Sequence, residues 1–155
     1  MMDFEIDVQV QGVAVPEVVV QLVETAVRTT LSQQQIAPPG LMTCLLTTDA
    51  AVRRLNRRFR QTDKPTDVLS FPGGDPMPGM PLYLGDIALA IPYARRQAEA
   101  AGQSLAEELQ LLAIHGTLHL LGHDHDDDAE KATMWAAQTA VLTQLNLQHV
   151  KPTEE

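Results

Sequence analysis

Ser104-Leu-Ala-Glu-Glu-Leu-Gln-Leu-Leu-Ala-Ile-His115-Gly-Thr-Leu-His119-Leu-Leu-Gly122-His-Asp-His125 reads as a helix with a defined start, a defined stop and a chemical payload at its end. Ser104 followed by Glu107 is a capping-box pattern, in which each side chain satisfies an orphan backbone N–H of the first turn. Leu109, Leu112, Ala113 and Leu120 continue at helical spacing, and Gly122 stands where a helix reverses through a left-handed residue. Histidines four apart share one helix face, so His115 and His119 present their imidazoles to a single point. Gly122 then lets the chain turn back and bring His125 to the same point.

The spacing His-x-x-x-His-x-x-Gly-x-x-His is that of the zinc ligands in metzincin proteases. Three protein ligands leave the fourth tetrahedral position to water, which marks a catalytic rather than a structural site. Zinc is therefore the expected cofactor, one per chain, with a bound water as nucleophile. Zinc proteases place a glutamate directly after the first histidine as general base. Gly116 occupies that position here, so peptide hydrolysis is disfavoured, and close packing or access to the metal is the expected reason for a glycine. His123 faces another direction and is left outside the metal shell; supporting the ligands from behind, contacting substrate and simple exposure are its alternatives.

Working outward, Phe4, Ile6, Val8 and Val10 alternate with polar residues and predict a half-buried strand. Pro16 suits the first turn of a helix reaching about Leu31. Residues 41–47 read as a second strand, and Asp49 as the N-cap of a short helix carrying Val52 and Leu55. A third strand is expected at 66–71, a Gly/Pro-rich loop at 72–81 and a fourth strand at 82–91. Pro92 opens a helix through Ala101, and residues 126–128 open a last helix to about Leu145. The expectation is a single α+β domain over residues 1–146, a small four-stranded sheet flanked by about five helices, with 147–155 as a loose tail. Strand directions stay open.

The chain has 155 residues and a formal net charge of −9, yet six of its 11 basic residues fall between positions 53 and 64. Arg53, Arg54, Arg57, Arg58, Arg60 and Lys64 can thus make a local basic patch on an acidic protein, or simply a solvated helix face. The longest apolar runs are too short to cross a bilayer, so no membrane partner is expected. The N-terminus lacks the features of a signal peptide. The lone Cys44 cannot form an internal disulfide and reads as a packing residue, which together predict a cytoplasmic protein.

The segment His115–His125 resembles the H-G-x-L-H-L-x-G-x-D-H signature of the YbeY family of bacterial zinc-dependent endoribonucleases. Two further blocks carry the resemblance: Leu55-Asn56, Phe59-Arg60 and Asp63-Lys-Pro-Thr-Asp-Val-Leu-Ser-Phe-Pro72, then Leu84-Gly-Asp-Ile87. It implies an α+β fold and a metal on His115, His119 and His125. It also implies cleavage of single-stranded RNA in ribosomal RNA maturation, notably at the small-subunit 3′ end, and a part in ribosome quality control. The partners implied are ribosomal RNA and the small ribosomal subunit. The family's functional arginine corresponds to Arg60, preceded here by Phe59 where the family has tyrosine. Such an arginine can clamp two phosphate oxygens in a bidentate fork. The alternative for Arg60 is a structural ion pair with Asp63 or Asp67. Aspartates 63, 67, 86 and 124 are the candidates for a general base or for holding the ligating histidines. The competing functions are a zinc hydrolase of peptides or small molecules, and a ribosome-binding assembly factor with a structural zinc.

Overall fold

The computed structural model describes residues 3–75 and 77–151. Four strands, β1 (Phe4–Val10), β2 (Gly40–Thr47), β3 (Val68–Pro72) and β4 (Leu82–Ala90), form one sheet in the order β1-β2-β4-β3. β1, β2 and β4 are parallel, and β3 is an antiparallel edge strand. The five helices are α1 (Glu17–Gln33), α2 (Asp49–Arg60), α3 (Ile91–Ala101), α4 (Leu105–Leu120) and α5 (Asp128–Gln144). The α+β class, the four strands and the five helices agree with expectation.

Alternation along β4 divides the interior. Ile87 and Leu89 join the larger hydrophobic cluster with α1, α4 and α5, whereas Ala88 and Ala90 join a smaller one with Val52 and Leu69. Successive strand residues point to opposite faces, so the two clusters lie on opposite sides of the sheet. On the larger side α4 packs against α1, α3, α5, β3 and β4. It is buried on nearly every side from Glu108 to Leu118. The helix predicted to hold the histidines is therefore the central helix of the fold. Its capping box is present: Ser104 Oγ accepts from Glu107 N–H at 3.1 Å and Glu107 Oε1 from Ser104 N–H at 2.8 Å.

Three expectations are corrected. Thr48, not Asp49, caps α2, its Oγ1 accepting from Ala51 N–H at 3.1 Å. Asp49 instead receives Tyr93 N–H at 2.9 Å and pairs with Arg96, so it serves the start of α3, far along the chain. The third strand starts at Val68, because Asp67 turns its side chain back onto Val68 N–H at 2.8 Å. The segment after Asn146 is not a loose tail as far as Lys151. Asn146 takes a left-handed turn at φ 60°, and Leu147 and Val150 then bury against the main core. Lys151 N–H donates to Gln103 Oε1 at 2.7 Å, closing that segment onto the start of α4. Residues 152–155 of the expected tail lie outside the described residues.

Candidate metal centre and active-site cleft

α4 presents His115 and His119 one turn apart, and their Nε2 atoms lie 3.1 Å from each other. The turn that follows is made by Gly122 at φ 96°. It returns His125, whose ring centroid sits 5.7 Å from that of His115 and 5.2 Å from that of His119. One nitrogen from each of the three rings falls within 4.8 Å of the others. The structure thus brings together all three predicted ligands. His123 turns elsewhere and donates from Nε2 to Gln34 Oε1 at 2.7 Å, at the end of α1.

Hydrogen bonds on the far side of two rings fix which nitrogen faces inward. Gln138 Oε1 lies 3.2 Å from His115 Nδ1, and the His123 carbonyl oxygen lies 2.9 Å from His119 Nδ1. Both partners are acceptors, so both Nδ1 atoms carry the proton and both Nε2 atoms present a lone pair. Two lone pairs at 3.1 Å repel unless a positive centre stands between them. Tetrahedral bonds of about 2.0–2.1 Å from two nitrogens to one zinc put those nitrogens roughly 3.3 Å apart, close to the spacing found. Protonation is a poor alternative source of charge. Burial holds the His115 imidazole down at about 4, with the neighbouring His119 adding to the effect. Burial lowers His119 as well. Neutral, inward-facing imidazoles are what metal ligation requires.

Gly116 has a packing explanation. A Cβ there would meet Ile87 Cγ2 and Val68 Cγ2 at 3.2 Å and Ser70 Oγ at 3.4 Å. The residue after the first ligand therefore faces the sheet, and a side chain at that position would have to push these neighbours back by a few tenths of an ångström.

The three histidines line a cleft of about 390 Å³ whose walls also include Arg60, Asp67, Asp124 and Trp135. Arg60 makes neither of the ion pairs offered as its alternative role. Asp63 is taken by Arg53 at 2.8 Å, and Arg53 holds that carboxyl below its usual range. Asp67 is buried and accepts from Val68 N–H and from Gln97 Nε2 at 3.1 Å. The Arg60 guanidinium instead donates to the Ser70 carbonyl and stands over the Phe71 ring, 5.7 Å from its centroid. Ser70 Oγ in turn donates to the Gly116 carbonyl at 3.0 Å, so one serine links the arginine to the metal helix. Of the four candidate aspartates, Asp67 and Asp124 line the cleft, whereas Asp63 and Asp86 do not. Asp124 accepts from His125 N–H at 2.7 Å, and that bond holds its carboxyl below the usual range.

Two neighbours of the histidines are not among the residues the sequence singles out. Gln138 is buried on α5 and orients His115, and Trp135, one turn earlier, sets its ring near His115 and His125 at 5.9 and 6.2 Å. Their only sequence signal was a helical interval of three on the last helix.

Among the described residues no helix is long and apolar enough to cross a membrane. In fold, the chain is similar to a Thermotoga maritima protein solved in solution, with a TM-score of 0.59, 19% identity, and 96% of this chain and 97% of that one covered. A relative from Chloroflexus aggregans named Endoribonuclease YbeY is 46% identical over 81% of this chain and 87% of its own length. One of the same name from Moorella thermoacetica is 39% identical over 94% of this chain and 99% of its own length. A family profile described as Endoribonuclease YbeY matches residues 5–146. With that match spanning nearly the whole chain and ending beyond the histidine turn, the protein belongs to the YbeY family.

Proposed function

We propose that this chain is a zinc-dependent endoribonuclease that cleaves single-stranded RNA and acts in the cytoplasm on ribosomal RNA, at the small-subunit 3′ end and in ribosome quality control. The observation that carries this reading is the meeting, in one cleft, of three converging imidazoles with an arginine that has no carboxylate partner among the described residues. The family's name adds the substrate class.

Borderline-soft nitrogen ligands suit zinc among the common divalent ions. When bound, the metal supplies an activated water and part of the charge neutralisation at phosphate. The chain's own residues do the rest. Gln138 and the His123 carbonyl hold the rings in the ligating tautomer. Arg60 has five N–H donors, and the Ser70 carbonyl leaves others for the phosphate oxygens. Asp124 stays ionised beside His125 and favours a cation at the histidines. The crowding at Gly116 weighs against a protease-type mechanism.

The test is cleavage of a single-stranded ribosomal RNA fragment and of casein, each with and without a zinc chelator, with metal content measured in the same samples. RNA cleavage that chelation abolishes and zinc restores is the expected result. Casein cleavage without RNA cleavage would replace this reading with the peptidase one. Zinc that survives with neither activity would favour the structural-zinc assembly factor.

A further inference from the structure

Phe59 is 55% exposed, a large aromatic ring left in water beside the cleft. Its exposure is not looseness. The ring sits edge-on against Phe71 with centroids 5.6 Å apart and an interplanar angle of 68°. Phe71 is half-buried on β3 and is the ring over which Arg60 stands. Arg58 approaches Phe59 from the other neighbouring position, its guanidinium carbon 5.3 Å from the ring centroid. The pair of rings therefore carries one guanidinium on each member, Arg58 over Phe59 and Arg60 over Phe71, and Arg60 also lines the metal cleft. Further along the same helix, Arg53, Arg54 and Arg57 line a second depression.

Apolar surface in water, packed on a neighbouring ring and flanked by arginines, matches one class of occupant, an unpaired nucleobase on a phosphate backbone. Every base has a π-face that an aromatic side chain can stack against, while arginines track the phosphates. A ring already fixed by Phe71 loses little side-chain freedom on binding. Bases inside a duplex are stacked on each other and cannot use such a platform.

We propose that Phe59 is a stacking platform for an unpaired base of the RNA whose phosphate lies at Arg60, and that this contact confers preference for single strands. The proposal rests on the ribonuclease reading and extends it to substrate selection. Phe59 acts by binding the base and takes no part in bond breaking.

The test measures equilibrium binding of a fluorescein-labelled single-stranded 12-mer, and of its duplex, to the full chain. Phe59→Ala should weaken single-strand binding by about 5- to 100-fold, the range of one lost stacking contact. Duplex binding should stay unchanged. Phe59→Trp should retain or tighten single-strand binding, and Phe59→Leu, apolar but without a π-face, should stay weak. A 12-mer with one abasic position, scanned along its length, should lose the same factor at a single position against the unmodified protein and nothing further against Phe59→Ala. That arm needs no variant to fold. Binding by Phe59→Ala or Phe59→Leu equal to the parent, or an abasic scan with no sensitive position, would overturn the platform while leaving RNA cleavage standing. A parent protein that neither binds nor cleaves the 12-mer would instead overturn the ribonuclease reading and the platform with it.

Discussion

α4 and α2 furnish the two halves of the cleft in opposite ways. α4 is buried on nearly every side, and its histidines emerge where the helix ends, backed by Gln138 from α5 and by a backbone carbonyl. α2 buries only Val52 and Asn56 and carries its arginines in water. The metal half is held by packing, so its geometry is set before any ligand arrives. The substrate half stands at the surface, its side chains held by few contacts, such as that of Arg60 to the Ser70 carbonyl. A change in α4 should therefore be read out as metal affinity or stability, and a change in α2 as RNA binding or rate.

The largest expected effect is on the metal. Alanine at His115, His119 or His125 should take bound zinc from one per chain to none, while His123→Ala leaves it in place. Elemental analysis of the purified variants checks this, and a zinc requirement for His123 would break the division between the two helices. Next comes Arg60→Ala, which should keep the zinc and lose about 10²–10³ of the single-turnover rate, the usual loss for a donor that meets charge developing in the transition state. Arg60→Lys should recover part of it, since an ammonium lacks the planar fork. Loss of zinc in Arg60→Ala would move the arginine to the metal half.

Gln138 sharpens the comparison from within the metal half. Gln138→Leu should weaken zinc binding by about 10- to 100-fold in a chelator competition, as removal of a partner behind a ligating histidine does. Gln138→Glu should restore it, because a carboxylate accepts the same Nδ1–H. Equal affinities in all three proteins would leave Gln138 a packing residue.

The smallest effect concerns pH. Glu108 on α4 is fully buried, and Oε1 has no hydrogen-bond partner among the described residues. Burial, with the nearby Asp67 charge adding to it, pushes this carboxyl up to about 7. A raised value means that the folded state holds the proton more tightly than the unfolded one. The stability linked to it is full below about 4.5 and is lost as pH rises through about 7. Glu108→Gln should therefore stabilise the fold at pH 8 by on the order of 1–3 kcal/mol and change little at pH 4. Denaturant titrations at the two pH values give the comparison.

Legibility in the sequence follows the range of the interactions. The histidines were readable because their geometry is local: a four-residue helical interval, then a turn whose glycine announces it. The capping box at Ser104 was readable for the same reason. Gln138 was not, since it reaches His115 across 23 positions and α5 carries no local mark of what it faces. Asp49 looked like a cap for the helix it begins, but it caps α3 across 44 positions, a choice made by tertiary packing. Leu147 and Val150 are two isolated apolar residues after a helix end, a pattern too short to distinguish a docked segment from a loose one.

The hydrogen bonding of β3 has a consequence for how molecules of this protein meet one another. Ala90 N–H bonds to the Asp67 carbonyl and Gly73 N–H to the Leu84 carbonyl, so the backbone groups of Val68 and Ser70, at the alternate positions between, face away from β4. An outward-facing row on an edge strand is a template for a strand of another molecule. Here the Asp67 carboxylate occupies Val68 N–H and the Arg60 guanidinium occupies the Ser70 carbonyl. The side chain proposed to grip phosphate thus also covers a backbone acceptor on the open edge of the sheet, one that an incoming strand would need.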